Sequence, residues 1–296
     1  MSTALRRAVL AVTLLDRGTL SEVETLDIGV LIPRGPDAWP LCVPWGELVL
    51  AAGETSDDLP AESLQRRVAR WMRLRLHIET LFGTADSRDA AHSKVLSLVR
   101  PRGVPVGHPA HPGAAWPRAR VLGGALDVGF ALRGLDDDGR PDPERSGLLP
   151  HGVLSAAGID IASACARADR YLADMAELAA ERLLRDTSAV LRPLGDADIP
   201  TLLASQRFRE VLLDGQGMRS AAIPTLRRGW LDLGRLDPAF VPAAAALTDP
   251  DERGFPRPVL ITADEVTLVR AGGDIVRQSL ADPVTDEHNH PVSRGA

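Results

Sequence analysis

The sequence predicts an α+β fold, a mixed or antiparallel sheet packed with several helices. Three observations carry this. Strand-like and helix-like patterns are interspersed. They follow no regular strand–helix–strand alternation and contain no internal repeat. Long amphipathic helical patterns occur in both halves of the chain, at Ala61–Gly83 and Asp160–Arg185. With 45% apolar and 25% charged residues, the 296-residue chain has the balance of a globular protein large enough to need no disulfide or metal staple. Aromatic residues make up only 4%, so Leu, Val, Ile and Ala must fill the interior.

Taken in order, Leu5, Val9, Val12 and Leu15 recur at helical spacing, with Ser2 or Thr3 to cap and Gly18 to stop. The apolar run ends in Asp16-Arg17 without a small-residue cleavage site, so it reads as a helix and not a leader peptide. Residues 26–32, LDIGVLI, read as a strand. WPLCVPW after them reads as an edge or irregular stretch, because Pro40 and Pro44 lack ladder donors. Ala61–Gly83 is a helix with Leu64, Val68, Trp71, Ile78 and Phe82 on its apolar stripe. Residues 100–117 hold five prolines and three glycines in eighteen positions with no hydrophobic period. Basic and acidic side chains balance up to residue 117, so the whole net charge of −6 lies beyond it. These features suggest an N-terminal α/β subdomain over 1–99, a linker or long loop over 100–117, and a C-terminal α+β subdomain over 118–282. The polar tail 283–296 is expected to be disordered.

Beyond 117, residues 119–135 are strand-like, with glycines that permit a bulge or close packing. Asp160 caps a helix whose stripe is Ile161, Cys165, Ala168, Leu172, Met175 and Ala179. AVLRPL reads as a short strand. Asp198 caps a second helix that runs to Gly215, with Pro200 in its first turn. Residues 220–233 read as strand then turn. Asp237-Pro238 opens a short Ala-rich helix, and Val259–Val269 forms two strands around Ala263-Asp264.

Several chemistries find no support. There is no G-x-x-x-x-G-K-[ST], no G-x-G-x-x-G between strand and helix, no G-x-S-x-G and no H-E-x-x-H. LDDDGRPDPE (135–144) packs five carboxylates into ten residues, yet no register places ligands as a calcium loop requires; Arg140 or Pro141 always falls at a ligand position. Its prolines and glycine are the chemistry of a turn. His108 with His111, and His288 with His290, resemble metal ligands in spacing only and read as solvated loop histidines, so no metal or cofactor is expected. Cys42 and Cys165 form no CxxC pair and read as small buried hydrophobes in a reducing cytoplasm. No run approaches a membrane span. Lys94 is the only lysine among 34 basic side chains, a skew of GC-rich bacterial coding that says nothing about the reaction.

Two arginine-rich surfaces remain. On the Ala61–Gly83 helix Arg66, Arg70, Arg73 and His77 recur at i, i+4, i+7 and i+11 and form one stripe, with Arg67 and Arg75 off it. The stripe suits an acidic partner or phosphate; a solvated face paired with carboxylates elsewhere is the plainer reading. Nucleic acid is disfavoured, because the chain is net negative and no binding motif accompanies the stripe. Further along, Arg219, Arg227 and Arg228 follow Gly215 and Gly217 and could surround a small anionic ligand; alternatively they pair with Glu210, Asp232 and Asp237. The leading expectation is a non-enzymatic cytoplasmic interaction or regulatory factor that engages an acidic protein partner through such surfaces. The alternative is an enzyme or sensor for a small phosphorylated or carboxylate ligand.

Overall fold

The computed structural model describes residues 3, 5–9, 23–34, 39–52, 61–109, 111–113, 116–186, 189–232 and 240–269. Within them the chain is α+β, with three antiparallel sheets. The expected helix at the N-terminus is present over 5–9 and otherwise falls outside the described residues, as do the tail 283–296 and its His288 and His290.

The first sheet comprises β1 (Glu24–Thr25), β2 (Gly29–Ile32) and β3 (Leu41–Pro44). It leads into helices α1 (Trp45–Ala52), α2 (Ala61–Gly83) and α3 (Arg88–Leu98). The second sheet is built on β6 (Leu126–Leu135), its longest strand. Strand β4 (Val99–Pro105) pairs along one edge of β6. Strands β5 (Arg118–Val121) and β7 (Pro141–Leu148) share the other edge, β5 on residues 126–129 and β7 on 131–135. Helices α4 (Val153–Ala156) and α5 (Ile161–Arg185) follow. The third sheet has the order β12-β11-β9-β10-β8, made from β8 (Val190–Leu191), β9 (Arg219–Thr225), β10 (Arg228–Leu231), β11 (Val259–Ile261) and β12 (Val266–Leu268). Helices α6 (Ile199–Leu203) and α7 (Gln206–Leu213) lie between β8 and β9 in the chain, and α8 (Phe240–Leu247) between β10 and β11. Among the described residues no helix is long and apolar enough to cross a membrane.

Strand β4 occupies the start of the proline-rich stretch 100–117. The prolines cost it no ladder bonds. N–H groups alternate between the two edges of a strand. Gly103 N donates to Thr201 Oγ1 of α6, at 2.7 Å, so it points away from β6. Pro101 and Pro105 share its parity and also face away. Proline is tolerated at such an edge.

Asp160 caps α5 as expected, accepting from Ala162 N and Ser163 N. The buried face of α5 differs from the expected stripe. It consists of Ala164, Ala168, Ala176, Ala179 and Ala180, whereas Ile161 is exposed and Cys165 half-buried. Alanine lets the helix lie close on the strands it covers, and the bulkier side chains are displaced to the flanks. Cys42 is exposed, not buried as expected. The helix expected from Asp198 to Gly215 is two helices, with Ser205 breaking the run and capping α7.

The interior comprises two main apolar clusters. The first contains Leu48, Leu64, Trp71 and Ile78, together with Leu132, Leu135, Leu149 and Ile159. The second contains Ile199, Leu202, Phe208, Ile223, Phe255 and Val259. Helix α5 serves both: Ala164 and Ala168 lie in the first, Ala176 and Ala179 in the second. Packing therefore crosses the expected border at 100–117. Each fully buried indole finds an acceptor: Trp71 Nε1 donates to His151 O at 3.0 Å and Trp116 Nε1 to Phe130 O at 3.1 Å. A buried tryptophan needs such a partner for its N–H.

Trp116 sits where β6 carries no side chain. A Cβ on Gly129 would lie 2.4 Å from Pro117 O and 2.5 Å from Trp116 Cε2. Neither the backbone nor the buried ring can move away cheaply. Gly129→Ala is therefore expected to destabilise the protein by about 1–3 kcal/mol, seen as a lower urea midpoint at unchanged m value. An unchanged midpoint would show that the ring seat tolerates a methyl group.

Candidate functional site

Helix α2 buries Leu64, Val68, Trp71, Met72, Leu74 and Ile78 in the first core. At 3.6 residues per turn, this apolar face turns the arginines of the helix toward its flanks. There Arg66, Arg67 and Arg70 line one cleft of about 300 Å³. The opposite wall is the segment before β5, which supplies Pro109, His111, Pro112 and Trp116. Asp137 and Asp138 of the β6–β7 turn, with Pro150 and Ala51, complete the lining. Three guanidinium groups thus face two carboxylates in a chain whose net charge is negative.

Backbone carbonyls hold two of these arginines. Arg67 Nη1 donates to Ala52 O at 3.2 Å. Arg70 Nη2 donates to Leu148 O, and its closest carboxylate, Asp137, is 4.0 Å away. Burial pushes the Arg70 guanidinium down from its ordinary value, and the nearby Asp137, Asp138 and Asp136 oppose that. An arginine starts so high that it remains charged. The rest of the expected stripe is elsewhere. Arg73 Nη1 donates to Asp138 O at 2.8 Å, and His77 is half-buried, its pKa lowered by burial, outside the cleft lining. The stripe is therefore split. Arg66 and Arg70 face the cleft, joined by Arg67, which the helical spacing placed off the stripe. Arg73 holds the acidic turn.

That turn answers to its own residues. Asp136 Oδ1 accepts from Asp138 N at 2.9 Å and from Arg140 N at 2.8 Å, and Asp137 Oδ1 accepts from Leu148 N at 3.1 Å. Gly139 takes a left-handed conformation, φ 76°, which closes the chain reversal. LDDDG is a hairpin turn, as its residues predict.

The far wall is fixed by Asp127 on β6, whose carboxylate is fully buried. It accepts from Arg118 Nε at 2.9 Å, Arg120 Nε at 3.0 Å, Arg120 Nη2 at 3.2 Å and His111 Nε2 at 3.0 Å. Burial alone would raise its pKa; the hydrogen bonds from Arg120 and Arg118 outweigh that and hold it below the ordinary carboxylate value. His111 Nδ1 accepts from Gly113 N at 3.0 Å, which makes Nε2 the protonated nitrogen. Its ring meets Trp116 edge-on, centroids 5.9 Å apart. Burial pushes the imidazole down, against the pull of Asp127. His111 is thus neutral, and both ring nitrogens are engaged. His108 Nε2 lies 2.8 Å from Arg253 O. Neither histidine is the solvated loop residue expected; both tie the proline-rich segment to the sheets. With His111 so engaged, the cleft offers cationic donors in front of a buried aromatic ring. It does not offer a poised general base from this residue.

The second arginine group does not converge. Arg219 clasps Asp232, with Nε 2.8 Å from Oδ1, and also donates to Leu212 O. Arg228 lies over the Trp230 ring, 5.4 Å from its centroid, and that half-buried ring meets Phe240 edge-on. Arg227 is in the β9–β10 turn and lines a different cleft. Arg219 and that turn stand at opposite ends of β9, about 20 Å apart at about 3.3 Å per residue. The expectation of one anion pocket formed by Arg219, Arg227 and Arg228 is therefore corrected. Arg219 makes one of the alternative pairings, with Asp232.

Arg67, His111, Trp116 and Asp127 are the site residues that sequence reasoning missed. One signal was available. Arg118 and Arg120 alternate on one strand, Gly123-Gly124 marks a turn, and Asp127 is a lone acid in an apolar strand. That arrangement is a cross-strand ion pair, and Arg120 does stand directly opposite Asp127.

No protein family, no characterised protein and no solved structure matches the chain.

The unfolded chain protonates His111 near the ordinary imidazole value of about 6.5, whereas the fold holds it neutral to lower pH. The unfolded state therefore binds protons first, and stability present above about pH 6.5 is lost as pH falls further. His77 and His108 are lowered by burial as well and act in the same direction. The urea midpoint is expected to fall between about pH 7 and about pH 5, and less steeply in His111→Gln, whose amide still donates to Asp127. A midpoint flat across that window would contradict the neutral, buried imidazole.

Proposed function

We propose that the protein is a non-catalytic binding protein whose α2 cleft takes a small ligand bearing carboxylate or phosphate groups. One observation carries the reading. Arg66, Arg67 and Arg70 share a single concave site, and among the described residues the two inner guanidiniums are held by backbone carbonyls and not by tight carboxylate pairs. Arg67 and Arg70 thus keep guanidinium N–H groups that an occupant can engage, and guanidinium binds carboxylate and phosphate in a forked geometry. Carbonyl anchoring fixes the forks before binding, which lowers the ordering cost on association. The volume, about 300 Å³, is at the small-molecule end of the range for binding clefts.

An acidic protein partner is the second reading. It is supported by Arg66, which is exposed at the mouth of the same cleft. The stripe as a whole supports it less, because Arg70 and Arg73 already hold residues of the β6–β7 hairpin. A partner would deliver a carboxylate into the cleft from an extended segment.

Calorimetric titration with inorganic phosphate, citrate and an acidic hexapeptide tests this. Saturable binding of phosphate or citrate is expected, weakened about tenfold or more in the double variant Arg66→Ala, Arg67→Ala and reduced by added salt. Binding of the hexapeptide alone would favour the partner reading. Absence of saturable binding by all three, or affinity unchanged in the double variant, would overturn the assigned cleft.

A further inference from the structure

Guanidiniums make up only part of the α2 cleft. Pro109, Pro112 and Pro150 line it as well. Pro109 is exposed and the other two are half-buried, so each ring keeps apolar surface open to solvent. A proline ring has no N–H to offer, and its fixed φ makes it a rigid surface. The segment that carries Pro109 and Pro112 is also tied down, by His111 Nε2 on Asp127 and by Gly113 N on His111 Nδ1. Covering apolar surface of this kind favours binding in proportion to the area removed from water.

Cationic and apolar surfaces meet within the cleft. Arg67 gives Nη1 to Ala52 O, and its Nη2 reaches the far wall, where a Cβ on Gly113 would lie 3.6 Å from it. Gly113 directly follows Pro112, so a guanidinium stands beside the proline-rich wall. The charge of the lining is nearly balanced. Arg66, Arg67 and Arg70 outnumber Asp137 and Asp138 by one, and His111 is neutral. Asp137 lies 4.0 Å from Arg70, and Asp138 is exposed on the turn. One negative charge on a ligand completes this balance, and a second meets the field of the two carboxylates.

We infer that the α2 cleft selects a monocarboxylate with an apolar body over phosphate and over polycarboxylates. The inference rests on the anion reading of this cleft and narrows it to one class of ligand. The carboxylate accepts from the guanidiniums of Arg67 and Arg70. The apolar body covers the rings of Pro109, Pro112 and Pro150. Asp138 acts as a filter against a second anionic group. Phosphate and citrate satisfy the guanidiniums, but they leave the proline rings to water and bring extra negative charge toward Asp138.

The test is calorimetric titration of the full chain with hexanoate, acetate, adipate and hexanamide, beside phosphate and citrate. Hexanoate is expected to bind saturably and at least about tenfold more tightly than acetate, since each methylene fully buried is worth about fourfold. Adipate, with a second carboxylate on the same chain, and hexanamide, with none, are each expected about fivefold weaker than hexanoate or more. Asp138→Asn is expected to narrow the gap between adipate and hexanoate about threefold. Pro109→Ser is expected to weaken hexanoate about threefold and to leave acetate unchanged. Both positions are exposed, and circular dichroism checks that each variant keeps the fold. Hexanoate no tighter than acetate, or adipate as tight as hexanoate, would overturn the inference and leave the broader anion reading in place. Hexanamide as tight as hexanoate, or no saturable binding of any of the anions, would overturn both. Ratios unchanged in both variants would overturn the inference too, because the selectivity would then arise elsewhere.

Discussion

The arrangement of the far wall of the α2 cleft depends on one buried carboxylate. Asp127 stands on the central strand of the second sheet, and an unpaired charge there would cost far more than the fold could tolerate. Its pairing with Arg120 and Arg118 fixes β5 on β6, and its hydrogen bond from His111 draws the proline-rich segment onto the sheet. With that segment in place, Trp116 fills the space above Gly129, and its indole reaches Phe130 O. A far wall backed by the buried Trp116 ring is the outcome. The proline-rich stretch owes its order to a charge network in place of an apolar period.

The acidic turn at 136–138 plays a matching part. Its Asp137 lies 4.0 Å from Arg70, and its Asp138 carbonyl takes a hydrogen bond from Arg73, so the chain carries part of the acidic surface that its own basic stripe calls for. The turn also separates two clefts of opposite charge, with Asp137 in the lining of both.

Much of the fold was legible because pattern and propensity agree. The apolar stripe of α2, the caps Asp160 and Asp198, and the Val259–Val269 hairpin all follow from local rules. What escaped did so for physical reasons. Strand β4 hides behind Pro101, Gly103 and Pro105, whose missing or outward N–H groups matter only once the partner edge is known. The buried face of α5 is set by alanines that permit close approach, whereas hydrophobicity alone favours Ile161 and Met175. Half of the α2 cleft was visible as Arg66 and Arg70. Its other half, His111 and Trp116, depends on Asp127, a contact made only after β5 and β6 pair. Arg219, Arg227 and Arg228 are close in sequence, but the hairpin carries Arg219 and the turn to opposite ends of β9.

The most direct measurement is hydrogen exchange on Asp127→Asn, which keeps the shape and removes the charge. If Asp127 anchors the wall, exchange of the Gly113 amide and the Trp116 indole N–H accelerates about tenfold or more, while amides at the centres of α2 and α5 keep their protection. Unchanged exchange at Gly113 and Trp116 would contradict the account, because the wall would then stand without the buried charge.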